Sequence, residues 1–191
     1  MVGPELGDPR AGAAVATVAH IPRLPGCIEA YNTRHDGEVP DQHAPAAVVQ
    51  EITAEETYDL RLRVLRRHLA EPEVDYPADR QPGSFHLGVR AGSTVLAIAS
   101  FSLEPAPGLP DVPAARLRGM AVDPAHERRG LGRALIDEAR GRLSTEGVEL
   151  IWANARASAL DFYRAQGFEE QGDEFMSLDL PHRVVVLRLL D

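Results

Sequence analysis

The chain has a single cysteine, Cys27, in 191 residues. That excludes a disulfide framework and any metal site built on paired cysteines. Positive charge is scarce as well: 20 Lys and Arg stand against 29 Asp and Glu, for a net charge of -9. Broad contact with nucleic acid or an anionic membrane needs the opposite sign. Long apolar runs are missing too. The stretch from Ala11 to Ala19 is interrupted by Gly12 and Thr17 and is too short to span a bilayer. The opening MVGPELGDPR places acids and prolines where a secretory leader would be basic. These absences predict a cytoplasmic protein with no metal, no nucleic-acid partner and no membrane partner.

What is present divides at about residue 46. Residues 1–46 are rich in Pro, Gly and Ala and have no sustained period, which predicts a flexible extension; Ala13 to Ile21 is its one candidate strand. From Ala47 the pattern is regular. Val48 to Ile52 reads as a strand. Thr53 and Glu56 make a T-x-x-E capping box, and Tyr58, Leu62, Leu65 and Leu69 recur at helical spacing, with Arg61, Arg63, Arg66 and Arg67 at the polar positions. Phe85 to Arg90 and Val95 to Leu103 read as a hairpin. Arg116 to Val122 reads as a strand, followed by a helix to about Glu146 that Gly147 ends. Val148 to Ala153 is a strand, Ser158 and Asp161 open a short helix ending at Gly167, and two strands close the chain. The sum is an α/β domain over 47–191: a mixed sheet with helices on both faces.

The chemistry starts at Glu127-Arg128-Arg129-Gly130-Leu131-Gly132, between a strand and a helix. The first amides of a helix have no internal partner, and the helix dipole adds partial positive charge there. Gly130 and Gly132 carry no side chain to block an anion, and Arg128, Arg129 and Arg133 supply local charge. A pyrophosphate fits this description. A Walker loop would need G-K-[ST], which is missing, and a Rossmann fingerprint would need a small residue where Leu135 stands.

Further along, Ala159 to Phe168 contains A-x-x-F-Y-x-x-x-G-F. With R-G-M-A-V-D-P and R-R-G-L-G-R-A-L before it, the chain from about Val48 to Leu190 resembles the GNAT superfamily of N-acyltransferases. The resemblance implies a sheet whose two central parallel strands splay apart to admit the pantetheine arm of acetyl-CoA, the acetyl donor. It implies that Met120, Ala121 and Val122 offer backbone groups to that arm and that the amides from Arg128 to Gly132, with Arg133, hold the pyrophosphate. Asn154 adds contacts from the neighbouring strand. Tyr163 matches the tyrosine that donates a proton to the departing thiolate. With ordinary pKa values of about 8.5 for a thiol and 10 for a phenol, that transfer is uphill by only ~2 kcal/mol.

Two positions depart from the family. Glu127 replaces a usual Gln or Arg, and Arg156 stands where Asn is common. The strand Arg116 to Val122 also lacks the carboxylate that serves many members as general base. An alkylamine must lose a proton at a cost of ~4.6 kcal/mol at neutral pH. Glu104, Glu174, His182 and a water chain to solvent are the candidates to take it. The resemblance implies an enzyme, an N-acetyltransferase that joins acetyl-CoA and a small-molecule or peptide amine in one ternary complex. A non-catalytic acyl-CoA sensor and a protein-binding module using the proline-rich segments remain open. The four acids between Glu71 and Asp79, with the negative net charge, point to a small cationic amine or an amino-acid-like amine as the acceptor. The acyl preference and the oligomeric state, a homodimer included, stay open.

Overall fold

The computed structural model describes residues 48–189. The extension expected over 1–46, its candidate strand and Cys27 lie outside them. Strand β1 (Val48–Ile52) leads into a helical segment, α1 (55–66). It is built from a 3-10 turn (Glu55–Thr57), one α turn (Tyr58–Leu60) and a π turn (Arg61–Arg66). Strands β2 (Phe85–Ala91) and β3 (Thr94–Leu103) form the expected hairpin, with Gly92 at φ +60° in its turn. Strand β4 (Ala114–Val122), helix α2 (Leu131–Thr145), strand β5 (Leu150–Arg156), helix α3 (Leu160–Ala165), and strands β6 (Glu169–Ser177) and β7 (Leu180–Arg188) complete the order.

The strands form one seven-stranded sheet in the order β1-β2-β3-β4-β5-β7-β6. Only β4 and β5 run parallel; every other neighbouring pair is antiparallel. This is the expected mixed sheet. The parallel pairing runs from Ala114↔Leu150 to Leu117↔Ala153 and stops there. Beyond it, Ala121 and Val122 stay bonded to β3 while Asn154 to Arg156 stay bonded to β7. The two strands therefore splay, each still held by its outer neighbour, and a gap opens at their C-terminal ends.

A bulge sharpens the splay. Between Ser100↔Arg118 and Ile98↔Ala121, one residue of β3 faces two residues of β4. Gly119 takes up the excess at φ +54°, a left-handed conformation that glycine reaches without strain. The extra residue reverses the side-chain alternation. Ala115 and Leu117 face α2 before the bulge, and Met120 and Val122 pack on that same side after it, while Ala121 turns to α1.

The main core lies between the sheet and the helices α2 and α3. It joins Phe85, Leu87, Val89, Phe101, Leu117, Ile151 and Val185 to Leu131, Leu135, Ile136, Ala139 and Leu143. Gly147, at φ +77°, ends α2 in a Schellman pattern, with Val148 N–H donating to Leu143 O at 3.1 Å. The opposite face holds two smaller clusters. One lies under α1 (Ile52, Leu60, Ile98, Ala121); the other is where the proline-rich 104–113 connection lays Ala106 over Trp152.

The reading of α1 is corrected in one respect. Its capping box is present: Thr53 N–H donates to Glu56 Oε2 at 2.8 Å. But Leu62, expected to face inward, is exposed, and Arg61, expected outside, has no solvent exposure at all. The π turn breaks the 3.6-residue period, so a pattern extrapolated at that period misplaces both residues. The Ser158–Asp161 cap is also absent, since α3 starts at Leu160 without a side-chain cap.

Candidate active site

The gap between β4 and β5 widens into a cleft of about 1480 Å³ that passes through the sheet plane, from the start of α2 to the ends of α1 and the β6–β7 turn. Of the residues singled out in the sequence, Met120, Ala121, Val122, Arg128, Gly130, Leu131, Gly132, Arg133, Asn154, Tyr163, Glu104 and His182 line it. Arg129 and Glu174 do not. The Arg129 side chain is exposed beside the turn, and Glu174 projects into solvent from the irregular middle of β6.

At one end of the cleft, Asp123 anchors the turn after β4. Its Oδ1 accepts from Ala125 N–H at 2.8 Å, and its other oxygen pairs with Arg63. Arg128 (φ +60°) and Gly130 (φ +77°) are both left-handed, so the backbone curls just before α2. For arginine that conformation is uncommon, and such residues gather at sites where backbone amides are aimed at a ligand. Ala134 N–H is bonded to Gly130 O, so the amides preceding it have no partner inside the helix. A Cβ on Gly130 would meet nothing within 4 Å, so that side is open. A Cβ on Gly132 would come within 3.1 Å of Met120 and Phe162, so any side chain there presses on both. With Arg128 and Arg133 flanking them, these open amides fit a pyrophosphate.

At the middle of the cleft stands Tyr163. A Schellman ending fixes it: Phe168 N–H donates to Tyr163 O at 3.0 Å, and Gly167 sits at φ +86°. The ring packs edge-on between Phe162 and Phe168, with centroids 5.3 and 5.2 Å away. Burial pushes its phenol up to about 12, against the opposing pull of the Arg156 guanidinium. The group is therefore protonated across the neutral range. Against a thiol near 8.5, full transfer of its proton is uphill by about 5 kcal/mol rather than ~2. A hydrogen bond to a developing thiolate is then the stronger part of what it can offer.

The far side of the cleft is polar. Glu104 pairs with both Arg116 and Arg118 and accepts from Ser102 Oγ at 2.8 Å. Burial alone would raise its carboxyl, but the Ser102 hydroxyl and the two arginines outweigh it and hold the group below its ordinary value. A carboxylate so well satisfied is a weak base. His182 is different. Its Nδ1 lies 2.9 Å from Leu180 O, and a carbonyl only accepts, so the neutral ring donates from Nδ1 and keeps its lone pair on Nε2. The side chain is buried on β7 opposite Arg156 of β5.

The 71–79 loop reaches the cleft through Tyr76, Pro77 and Ala78, but its four acids do not line it. Asp79 closes on the buried Arg61, with Arg61 Nη2 at 3.0 Å from its Oδ1, and Asp75 pairs with Arg80. Glu71 and Glu73 are exposed and outside the cleft lining. Cleft residues not singled out as site residues in the sequence include Arg66, Tyr76, Arg118 and Arg156. Tyr76 sits in a proline-rich loop with no periodicity to mark it, and Arg66 looked like a solvated helix position.

The family model for the GNAT acetyltransferases matches residues 49–168. The chain belongs to the GNAT family of acetyltransferases. Among GNAT relatives, it is 37% identical to the uncharacterized N-acetyltransferase YitI of Bacillus subtilis, over 74% of this chain and 95% of YitI. It is 44% identical to the ribosomal protein bS18-alanine N-acetyltransferase of Salmonella typhimurium, over a shorter stretch that spans 29% of this chain and 40% of that protein. YncA from Salmonella typhimurium, solved with its cofactor acetyl-CoA, superposes with a TM-score of 0.58 at 17% identity, covering 76% of this chain and 95% of YncA. The chain is thus an acetyltransferase with the GNAT fold. Among the described residues, no helix is long and apolar enough to cross a membrane.

Proposed function

We propose that the chain transfers an acetyl group from acetyl-CoA to an amine by direct attack in a ternary complex. The observation that carries this is the single cleft joining an open set of helix-start amides to a buried tyrosine through the gap between β4 and β5. Acetyl-CoA supplies the thioester. The amides from Arg128 to Gly132, with Arg128 and Arg133, bind the pyrophosphate. The β4 backbone at Met120, Ala121 and Val122, free of β5, offers polar groups along the gap, and Asn154 faces them from β5. Tyr163 donates a hydrogen bond to the sulfur as it departs, and the apolar ring contacts keep the phenol from turning away. His182 Nε2 takes the proton from the incoming ammonium, directly or through a water, while Leu180 O fixes the ring.

Two measurements test this reading. Acetyl-CoA at 100 times its Kd should stabilise the domain by ~2.7 kcal/mol, and Gly130→Glu should abolish the gain by placing a negative side chain in the open space over the turn. Free thiol should then appear with an amine acceptor. Melts unmoved by millimolar acetyl-CoA would overturn the proposal. Binding without thiol release from any amine would leave the sensor reading instead.

A further inference from the structure

We infer that the acceptor amine carries a carboxylate close to its amino group, and that Arg156, Arg66 and the Tyr76 hydroxyl hold it; this rests on the transferase reading above. The far side of the cleft is lined by Arg66, Arg116, Arg118 and Arg156. Glu104 serves both Arg116 and Arg118. Asp161, also in the lining, is turned to Arg164 and is 97% exposed. Among the described residues, Arg66 and Arg156 have no carboxylate partner. Arg156 donates to Leu65 O, one of the last carbonyls of α1, and Arg66 lies over the Tyr76 ring at 5.2 Å. The Tyr76 hydroxyl is buried and has no hydrogen-bond partner among the described residues. Two cations and a stranded hydroxyl donor in one half-buried corner are what a planar anion satisfies. Burial and the nearby Arg66 both press against the charge of Arg156. An anion placed between them relieves that pressure.

The position fixes how near the amine must be. Arg156 stands opposite His182 in the β5–β7 register, and its charge is felt by the Tyr163 phenol. A carboxylate on Arg156 is therefore beside the groups assigned to the proton transfers. Only a short molecule, with a few bonds between carboxylate and nitrogen, reaches both. That is the chemistry of a free amino acid. A protein N-terminus has an amide at that place, and a simple cationic amine has nothing there. Asp75 and Asp79 are each paired with an arginine, and Glu71 and Glu73 lie outside the cleft lining, so the 71–79 loop no longer argues for a cationic acceptor.

The test compares free L-amino acids, their carboxamides and short peptides with the same N-terminal residue. Thiol release is followed with acetyl-CoA, and calorimetric binding is followed on protein saturated with non-reactive CoA. The free acids should exceed the carboxamides by about ten- to a hundredfold in kcat/KM and in binding. Arg156→Gln should erase that ratio while keeping the melt shift caused by acetyl-CoA; Arg66→Gln, at the more accessible end of α1, should reduce it if the first variant folds poorly. Carboxylate-selective binding without thiol release would sustain this inference and sink the transferase reading. Thiol release with carboxamides or peptides as good as the free acids would do the reverse.

Discussion

The two faces of the sheet are built on different principles. The face under α2 and α3 is a continuous apolar cluster from Phe85 to Leu187, with the Arg142 guanidinium laid over the Phe85 ring at 3.9 Å. The face under α1 buries a polar chain: Asp79 holds Arg61, Arg61 Nη2 donates to Ser100 Oγ at 2.7 Å, and His86 Nδ1 lies 2.9 Å from the same oxygen. Tyr76 covers this chain, with the Arg61 guanidinium 4.1 Å from its ring centroid. The first face holds the fold by area removed from water, which tolerates repacking. The second holds α1 and the 74–80 loop in one geometry, because each partner is specified by direction and charge. It is also the face that carries the arginine-lined side of the cleft, where the acceptor is proposed to bind.

The largest effect should come from breaking the polar chain. Arg61→Ala leaves Asp79 buried beside Tyr76 without its counter-charge and should cost about 3–5 kcal/mol in urea unfolding. Asp79→Ala should cost a similar amount, and the double variant much less than the sum. Additive losses would show that the two are not coupled and would dissolve the contrast between the faces. On the apolar face, Leu135→Ala should cost about 3 kcal/mol through a cavity, with no such coupling to either residue.

Tyr163 belongs to both descriptions, since it packs in the apolar core and lines the cleft. Tyr163→Phe keeps the ring and its edge contacts. It should lower kcat ten- to a thousandfold, roughly 1.4–4 kcal/mol of barrier, with little change in KM for acetyl-CoA. A well-folded variant with parental kcat would make Tyr163 a packing residue alone.

The smallest effect is a pH dependence confined to the polar face. Burial pushes the His86 imidazole below its ordinary 6.5, with Asp79 opposing the shift and Arg61 adding to it. Well above pH 6.5 His86 is neutral folded and unfolded, and its contribution to stability is fully present. As pH falls, the unfolded chain takes the proton first, and stability declines until the folded pKa is passed, by at most about 1.4 kcal/mol per pH unit. His86→Asn should flatten the slope of stability between pH 7 and 5. An unchanged slope would assign acid sensitivity to the carboxylates elsewhere.

The apolar face was legible before folding. The α2 positions Leu131, Leu135, Ala139 and Leu143 recur at helical spacing and are all buried. Gly147 and Gly167 end their helices at positive φ, as turn chemistry alone requires. The glycine turn before α2 was legible for the same reason, because a left-handed turn opening a helix is a local object. The polar face was not. Arg61 and Asp79 stand 18 residues apart, and Arg156 and Leu65 91 apart, so no short-range period links them.

The sequence by itself determined the order of elements, the hairpin turn, the helix α2 with its open amides, and the tyrosine between Phe162 and Phe168. Each follows from side-chain spacing, capping or backbone conformation within a few residues. The tertiary structure alone decided where β4 leaves β5, which acids are neutralised before reaching the cleft, and which arginines are left facing it. Those outcomes depend on charges meeting across distant segments. A bulge at Gly119 turns one side of β4 to α2 and the other to α1, and burial makes each unpaired group costly enough to fix its surroundings.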